Sequence, residues 1–183
     1  MVRGVLWVLA AILLGGIVHL STVLAMPEAA KQDAYTRLAQ LTPVNAMAPL
    51  AATKAGAEIM PFMDPAFAAA VCRYDLSDGP LKLIAPVVSQ GYTSVTFYTR
   101  RSVAFYAIND RAAGRHTIEL DLMTAAQHAQ VPEDEEVTAA DRLVIESPTT
   151  MGLIVLRALA PEPGLMPMAR QALAAATCRI QSQ

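Results

Sequence analysis

Residues 71–85 read Val71-Cys72-Arg73-Tyr74-Asp75-Leu76-Ser77-Asp78-Gly79-Pro80-Leu81-Lys82-Leu83-Ile84-Ala85. From Val71 the pattern has a period of two, which puts alternate side chains on opposite faces of a β-strand. Ser77-Asp78-Gly79-Pro80 is turn chemistry, and Leu81 to Ala85 reads as the return strand. Asp75-Leu76-Ser77-Asp78-Gly79 also resembles the start of a calcium loop. Its twelfth position is Pro86 instead of a glutamate, so a turn is the better account.

The same period continues towards the C-terminus. Tyr92 to Thr99 alternates, with Val95 and Phe97 inward and Ser94 and Thr96 outward; Arg100-Arg101-Ser102 then turns the chain into Val103 to Ile108. Thr117 to Leu122 is the clearest strand, with Ile118, Leu120 and Leu122 on one face and Thr117, Glu119 and Asp121 on the other. Thr124 to Gln130 reads as a short helical excursion. Arg142 to Glu146 and Leu153 to Leu159 are two more strands around the turn Ser147-Pro148-Thr149-Thr150. Alanine-rich Pro167 to Cys178 reads as a closing helix. Seven short strands at close spacing predict a mainly β fold, an antiparallel β-sandwich or open barrel with peripheral helices and a C-terminal helix.

Towards the N-terminus the period changes again. Residues 42–65 hold Pro43, Pro49, Pro61 and Pro65, and read as an irregular segment packed over the domain. Its Met47, Met60 and Met63 suit gap-filling in a core better than the lining of a greasy groove. Ala30, Ala34, Leu38 and Leu41 recur at helical spacing, a stalk between Pro27 and Leu41. Before it, Gly4 to Ala25 is an uninterrupted apolar run with only Arg3 ahead of it. At about 1.5 Å per residue this run reaches about 33 Å, one hydrocarbon core. The expected organisation is a transmembrane anchor over 1–26, a helical and proline-rich stalk over 27–66, and an exported β-rich domain over 67–183. The apolar run is too long for an ordinary secretion signal, yet Val23-Leu24-Ala25 satisfies small-residue cleavage spacing, so removal after Ala25 stays open. Arg3 favours a cytoplasmic N-terminus and a periplasmic main domain.

The anchor has a face. Gly4, Ala11, Gly15, His19 and Thr22 fall on one helical stripe, and small residues there let another helix approach. His19 reads as snorkelling to the headgroups, because no second ionisable residue lies in the span.

All sixteen acidic groups and every basic group but Arg3 lie beyond the anchor, nearly balanced at a net charge of -2. No basic patch interleaves with aromatics, which argues against a nucleic-acid partner. The run Glu133-Asp134-Glu135-Glu136 reads as a solvated loop. Cys72 and Cys178 are the two cysteines. In an exported domain they invite one disulfide, closing a loop of about a hundred residues.

Catalytic motifs are wanting: there is no G-x-S-x-G, no H-E-x-x-H and no phosphate-binding glycine loop, and no cofactor or metal is expected. His116 has the opposite strand parity to Glu119, a poor orientation for a dyad. Ser147 stands beside Glu146 with no general base in view. The best polar concentration is Tyr92, Tyr98, Arg100, Arg101, Tyr106, Asn109, Asp110 and Arg111. Tyrosine and arginine together suit recognition of a sugar, a carboxylate or a protein surface.

The anchor GGIVHLSTVL, then CRYDLSDGP, YTSVTFY, FYAINDR, LVIESPTTMGLIVLRAL and the late Cys178 resemble the bacterial domain-of-unknown-function family twelve fifty-four, in its short membrane-anchored form. The resemblance implies a β-rich domain that in longer relatives shares the chain with a second β-rich domain of another unknown-function family. A separate membrane-anchored protein would supply that half to a short form. Tyr92-Thr93 stands where the family pattern has a Tyr-Trp pair. The expectation is a bitopic inner-membrane protein whose periplasmic β-sandwich serves as an accessory or interaction subunit, with the lipid bilayer and a membrane-anchored protein as partners. The alternative is a periplasmic binder or enzyme acting on a small envelope molecule, a sugar or lipid, through the Tyr/Arg/Asn edge.

Overall fold

The computed structural model describes residues 2–29, 33–52, 59–60, 63–88, 91–113, 117–131 and 143–181. The chain divides into two compact units, Met1–Asp33 and Ala34–Gln183. The first contains helix α1 (Val2–Ala29). Its stretch Val2–Met26 is long and apolar enough to cross a membrane, as an anchor or as a signal sequence. Helix α1 runs through Pro27 to Ala29, past the 1–26 anchor expected from sequence. So near the end, a proline removes one hydrogen bond from a helix already propagated over many turns, too small a loss to stop it.

The second unit is a two-sheet sandwich with helices at its periphery. One sheet has the order β1 (Met47–Pro49), β2 (Phe67–Asp75), β8 (Met151–Leu159), β4 (Thr93–Thr99) and β5 (Ala104–Asn109). The other has the order β7 (Leu143–Ser147), β6 (Thr117–Thr124), β3 (Leu81–Pro86) and β9 (Thr177–Ile180). Pairing is antiparallel except between β6 and β7, which run parallel. Helices α2 (Ala34–Ala39), α3 (Asp110–Ala113), α4 (Ala125–His128) and α5 (Met166–Ala174) fill the connections. The acidic run 133–136, His116 and Arg142 lie outside the described residues.

Side-chain alternation explains the core. Ala68, Ala70, Cys72 and Tyr74 of β2, Ile154, Leu156 and Ala158 of β8, and Val95 and Phe97 of β4 are buried towards the other sheet. They meet Leu81, Leu83 and Ala85 of β3, and Ile118, Leu120 and Leu122 of β6. Each fully buried large apolar side chain contributes about 1.5–3 kcal/mol. Phe97 adds aromatic contacts, its ring centroid 6.1 Å from that of Phe105 and 6.0 Å from that of Tyr106.

Three local expectations change. The segment around Ser77–Pro80 does not close a hairpin: β2 pairs with β1 and β8, whereas β3 pairs with β6 and β9. Asp75 accepts hydrogen bonds from the Ser77 backbone N–H (3.0 Å) and hydroxyl (2.6 Å), and Gly79 at φ 138 redirects the chain into the opposite sheet. That φ lies in a region side chains avoid, so glycine is required there. The C-terminal helix ends at Ala174, and Cys178 lies in β9 instead. There it faces Leu83 in register and bonds Cys72 across the sandwich, with Cα atoms 6.4 Å apart. The strand expected at Val71 begins at Phe67, because Ala68 and Ala70 continue its inward face without the polarity contrast that marks a strand in sequence.

Candidate functional site

Among the described residues, the outward face of the five-stranded sheet is only partly covered. Val71 and Leu153 project from it, and Tyr35 and Leu38 of α2 pack onto them in a second, smaller apolar cluster. The Tyr35 ring is clasped between two guanidinium groups, Arg73 at 4.7 Å and Arg100 at 4.3 Å from its centroid. Arg100 also donates to the Thr36 hydroxyl (3.3 Å), and Arg73 donates to the Thr42 carbonyl (3.3 Å). Cation–π contacts of this kind contribute roughly 0.5–1 kcal/mol each at exposed sites. Together they hold α2 against the sheet.

Beside α2 opens a cleft of about 410 Å³, lined mainly by Leu38, Leu50, Met60, Met63, Val71, Leu153 and Val155. Met60 and Met63 line this cleft, Met60 also packing against the smaller apolar cluster, and Met47 packs against the main core. A second recess of about 330 Å³ adjoins it along the same face, lined by Tyr92, Ser94, Thr96 and Asn109. Phe67 and Arg157 line both.

The residues singled out in sequence are distributed over this domain. Tyr92 and Asn109 share the polar recess, and Tyr98 borders the apolar cleft. Arg100 clasps Tyr35. Tyr106 lies on the opposite side of β5, packed against the core, and Arg111 is exposed on α3. Arg157 escaped the sequence reading. Its signal was present: it is the sole charge in Leu153–Leu159 and shares strand parity with the outward Leu153 and Val155.

A hydroxyl cluster lies at one end of the sandwich. Tyr74, fully buried, approaches the Ser147 hydroxyl (3.0 Å) and the Tyr98 carbonyl (3.2 Å). Ser147 in turn donates to the Thr149 carbonyl (2.6 Å). Burial pushes the Tyr74 phenol above its ordinary pKa, against the smaller opposing effect of hydrogen bonds from Ser147 and Thr149. Glu146 pairs with His128 Nδ1 at 2.6 Å, but on the exposed side of β7, whereas Ser147 is buried. Strand alternation thus separates this pair from the serine, and it cannot act as the base of a serine triad. No cluster of three His, Cys, Asp or Glu side chains placed to hold a metal occurs among the described residues.

In α1, the stripe of Gly4, Ala11, Gly15, His19 and Thr22 is exposed. The Thr22 hydroxyl donates to the carbonyls of Val18 (2.6 Å) and His19 (2.9 Å) in its own helix.

The profile of DUF1254, described as a protein of unknown function, matches residues 45–179. No curated protein matches the chain. Among solved structures, the VPA0106 protein from Vibrio parahaemolyticus is similar in fold, with a TM-score of 0.60 and 13% identity over 81% of this chain. The matched part is 33% of that protein's length. A putative uncharacterised protein from Burkholderia cenocepacia aligns with a TM-score of 0.47 and 13% identity, covering 74% of this chain and 34% of its own.

Proposed function

Since this chain belongs to the DUF1254 family, a family of unknown function, we propose that it is a bitopic inner-membrane protein whose periplasmic β-sandwich acts as an accessory, interaction subunit of a membrane complex. The observation that carries this reading is α1, whose stretch Val2–Met26 is long and apolar enough to cross a membrane and presents a stripe of small residues. The partner in this reading is a membrane-anchored protein, met through the small-residue stripe of α1. The Cys72–Cys178 disulfide supports an oxidising compartment for the sandwich, and Arg3 ahead of the apolar helix supports a cytoplasmic N-terminus.

The test is gentle extraction at native expression followed by mass spectrometry. A stoichiometric membrane partner whose recovery falls in Gly15→Leu is the expected result. A lone protein, or recovery unaffected by Gly15→Leu, would overturn the helix-packing part of the proposal. A second reading, a binder of a small envelope molecule, is supported by the paired recesses on the outer sheet face.

A further inference from the structure

Arg157 is the side chain that the fold itself does not explain. It stands on β8, hydrogen-bonded on both sides, opposite Ala69 of β2 and Ser94 of β4. Strand parity turns it away from the core, where it is exposed and meets no carboxylate among the described residues. An arginine held in the middle of a sheet face, between an apolar cleft and a recess of hydroxyls, is placed to receive an anion.

The two recesses differ in chemistry. The cleft of about 410 Å³ presents Leu38, Met60, Met63 and Val155. Tyr98, Ser102 and Asp64 also line it, and the Asp64 carboxylate accepts the Ala66 N–H at 2.9 Å. The adjoining recess presents the Ser94 and Thr96 side chains. Arg157 lines both and so marks the boundary between them.

We propose that this face binds a long-chain carboxylate, its alkyl chain in the apolar cleft and its head on the Arg157 guanidinium beside Ser94 and Thr96. This deepens the second reading above and is independent of the partner-subunit reading. The cleft volume is at the small end of ligand sites, about 300–1,000 Å³, which suits one alkyl chain better than two. The guanidinium fork matches a carboxylate in two parallel hydrogen bonds. A single arginine balances one negative charge. Met60 and Met63 are flexible linings of the kind that adapt to an alkyl chain.

The test uses the full chain in phosphatidylcholine nanodiscs with a photoreactive tetradecanoate and its uncharged methyl ester. Peptide mapping should place the acid's label on Leu38, Met60, Met63 or Val155, displaced by unlabelled tetradecanoate. Arg157→Gln should lower that labelling at least tenfold, and Arg157→Lys should lower it less. Val155→Phe, which fills the cleft while leaving the arginine, should also abolish it, with formation of the disulfide confirming the fold. Equal cleft labelling by acid and ester, or none lost in Arg157→Gln, would overturn the carboxylate assignment and leave a binding cleft standing. Labelling confined to α1 for both probes would overturn the assignment and the small-molecule reading together.

Discussion

Replacing both cysteines in C72A/C178A removes a cross-link between residues separated by 106 positions, one in each sheet of the sandwich. Closing a loop of that length restricts the unfolded chain by about 4 to 5 kcal/mol in the chain-entropy account. Domains are stable by only about 5–15 kcal/mol, so the variant should be folded but marginal. With a urea slope of about 2 kcal/mol per molar, the transition midpoint should fall by roughly 2 M. Near-ultraviolet circular dichroism of the buried tyrosines is the suitable probe, because the one tryptophan, Trp7, lies in α1 and does not report on the sandwich. Reduced wild type is the essential companion: it keeps both sulfur atoms in the core, where Cys72 and Cys178 are buried, and so isolates the cross-link from the loss of packing. A midpoint shift below about 0.5 M in both samples would refute the loop-entropy reasoning and point to an unfolded state already held compact. A large shift in C72A/C178A alone would assign the effect to packing.

Two further substitutions test the hydroxyl end of the sandwich. A Cβ at Gly152 would overlap the Tyr98 carbonyl and the Tyr74 hydroxyl, so Gly152→Ala should cost about 1–3 kcal/mol in urea unfolding; a neutral result would deny the close approach. Tyr74→Phe removes the hydroxyl that meets Ser147 and Tyr98, and leaving those groups short of a partner should cost about 1–3 kcal/mol. It should also change the alkaline limb. Because burial holds the folded-state phenol pKa above its unfolded value, Tyr74 contributes stability that is fully present below pH about 10 and lost as pH rises through the folded pKa. Thermal unfolding of Tyr74→Phe should therefore fall less steeply above that pH; superimposable alkaline profiles would refute the burial effect.

The strands were legible in sequence wherever one face was core and the other solvent. Thr117 to Leu122 shows this in part: Ile118, Leu120 and Leu122 are buried, and Glu119 is exposed and pairs with Lys82 of β3 at 2.5 Å, whereas Asp121, expected on the solvent face, is buried. The cysteine pair was legible as well, from its even number and the apolar N-terminal helix. Arg157 carried its signal, a lone charge in an apolar strand, but its significance depends on what surrounds it. Phe67 and Asn109, far from it in sequence, share a recess with it only because β2 and β4 flank β8 and β5 flanks β4.

By itself the sequence determined local periods: an apolar helix long enough to cross a membrane, period-two strands from Val71 onward, and the turns between them. Those patterns follow from which side of a single segment meets water, a property written into neighbouring residues. Only the tertiary structure decided that Ser77–Pro80 crosses between sheets, that Cys178 belongs to a strand, and that β7 lies parallel to β6. A turn signal is the same whether the next strand pairs with the last one or with a distant one. Which partner wins depends on where Leu81, Leu83 and Ala85 find the apolar face that buries them, and that face is assembled from residues distributed along the domain.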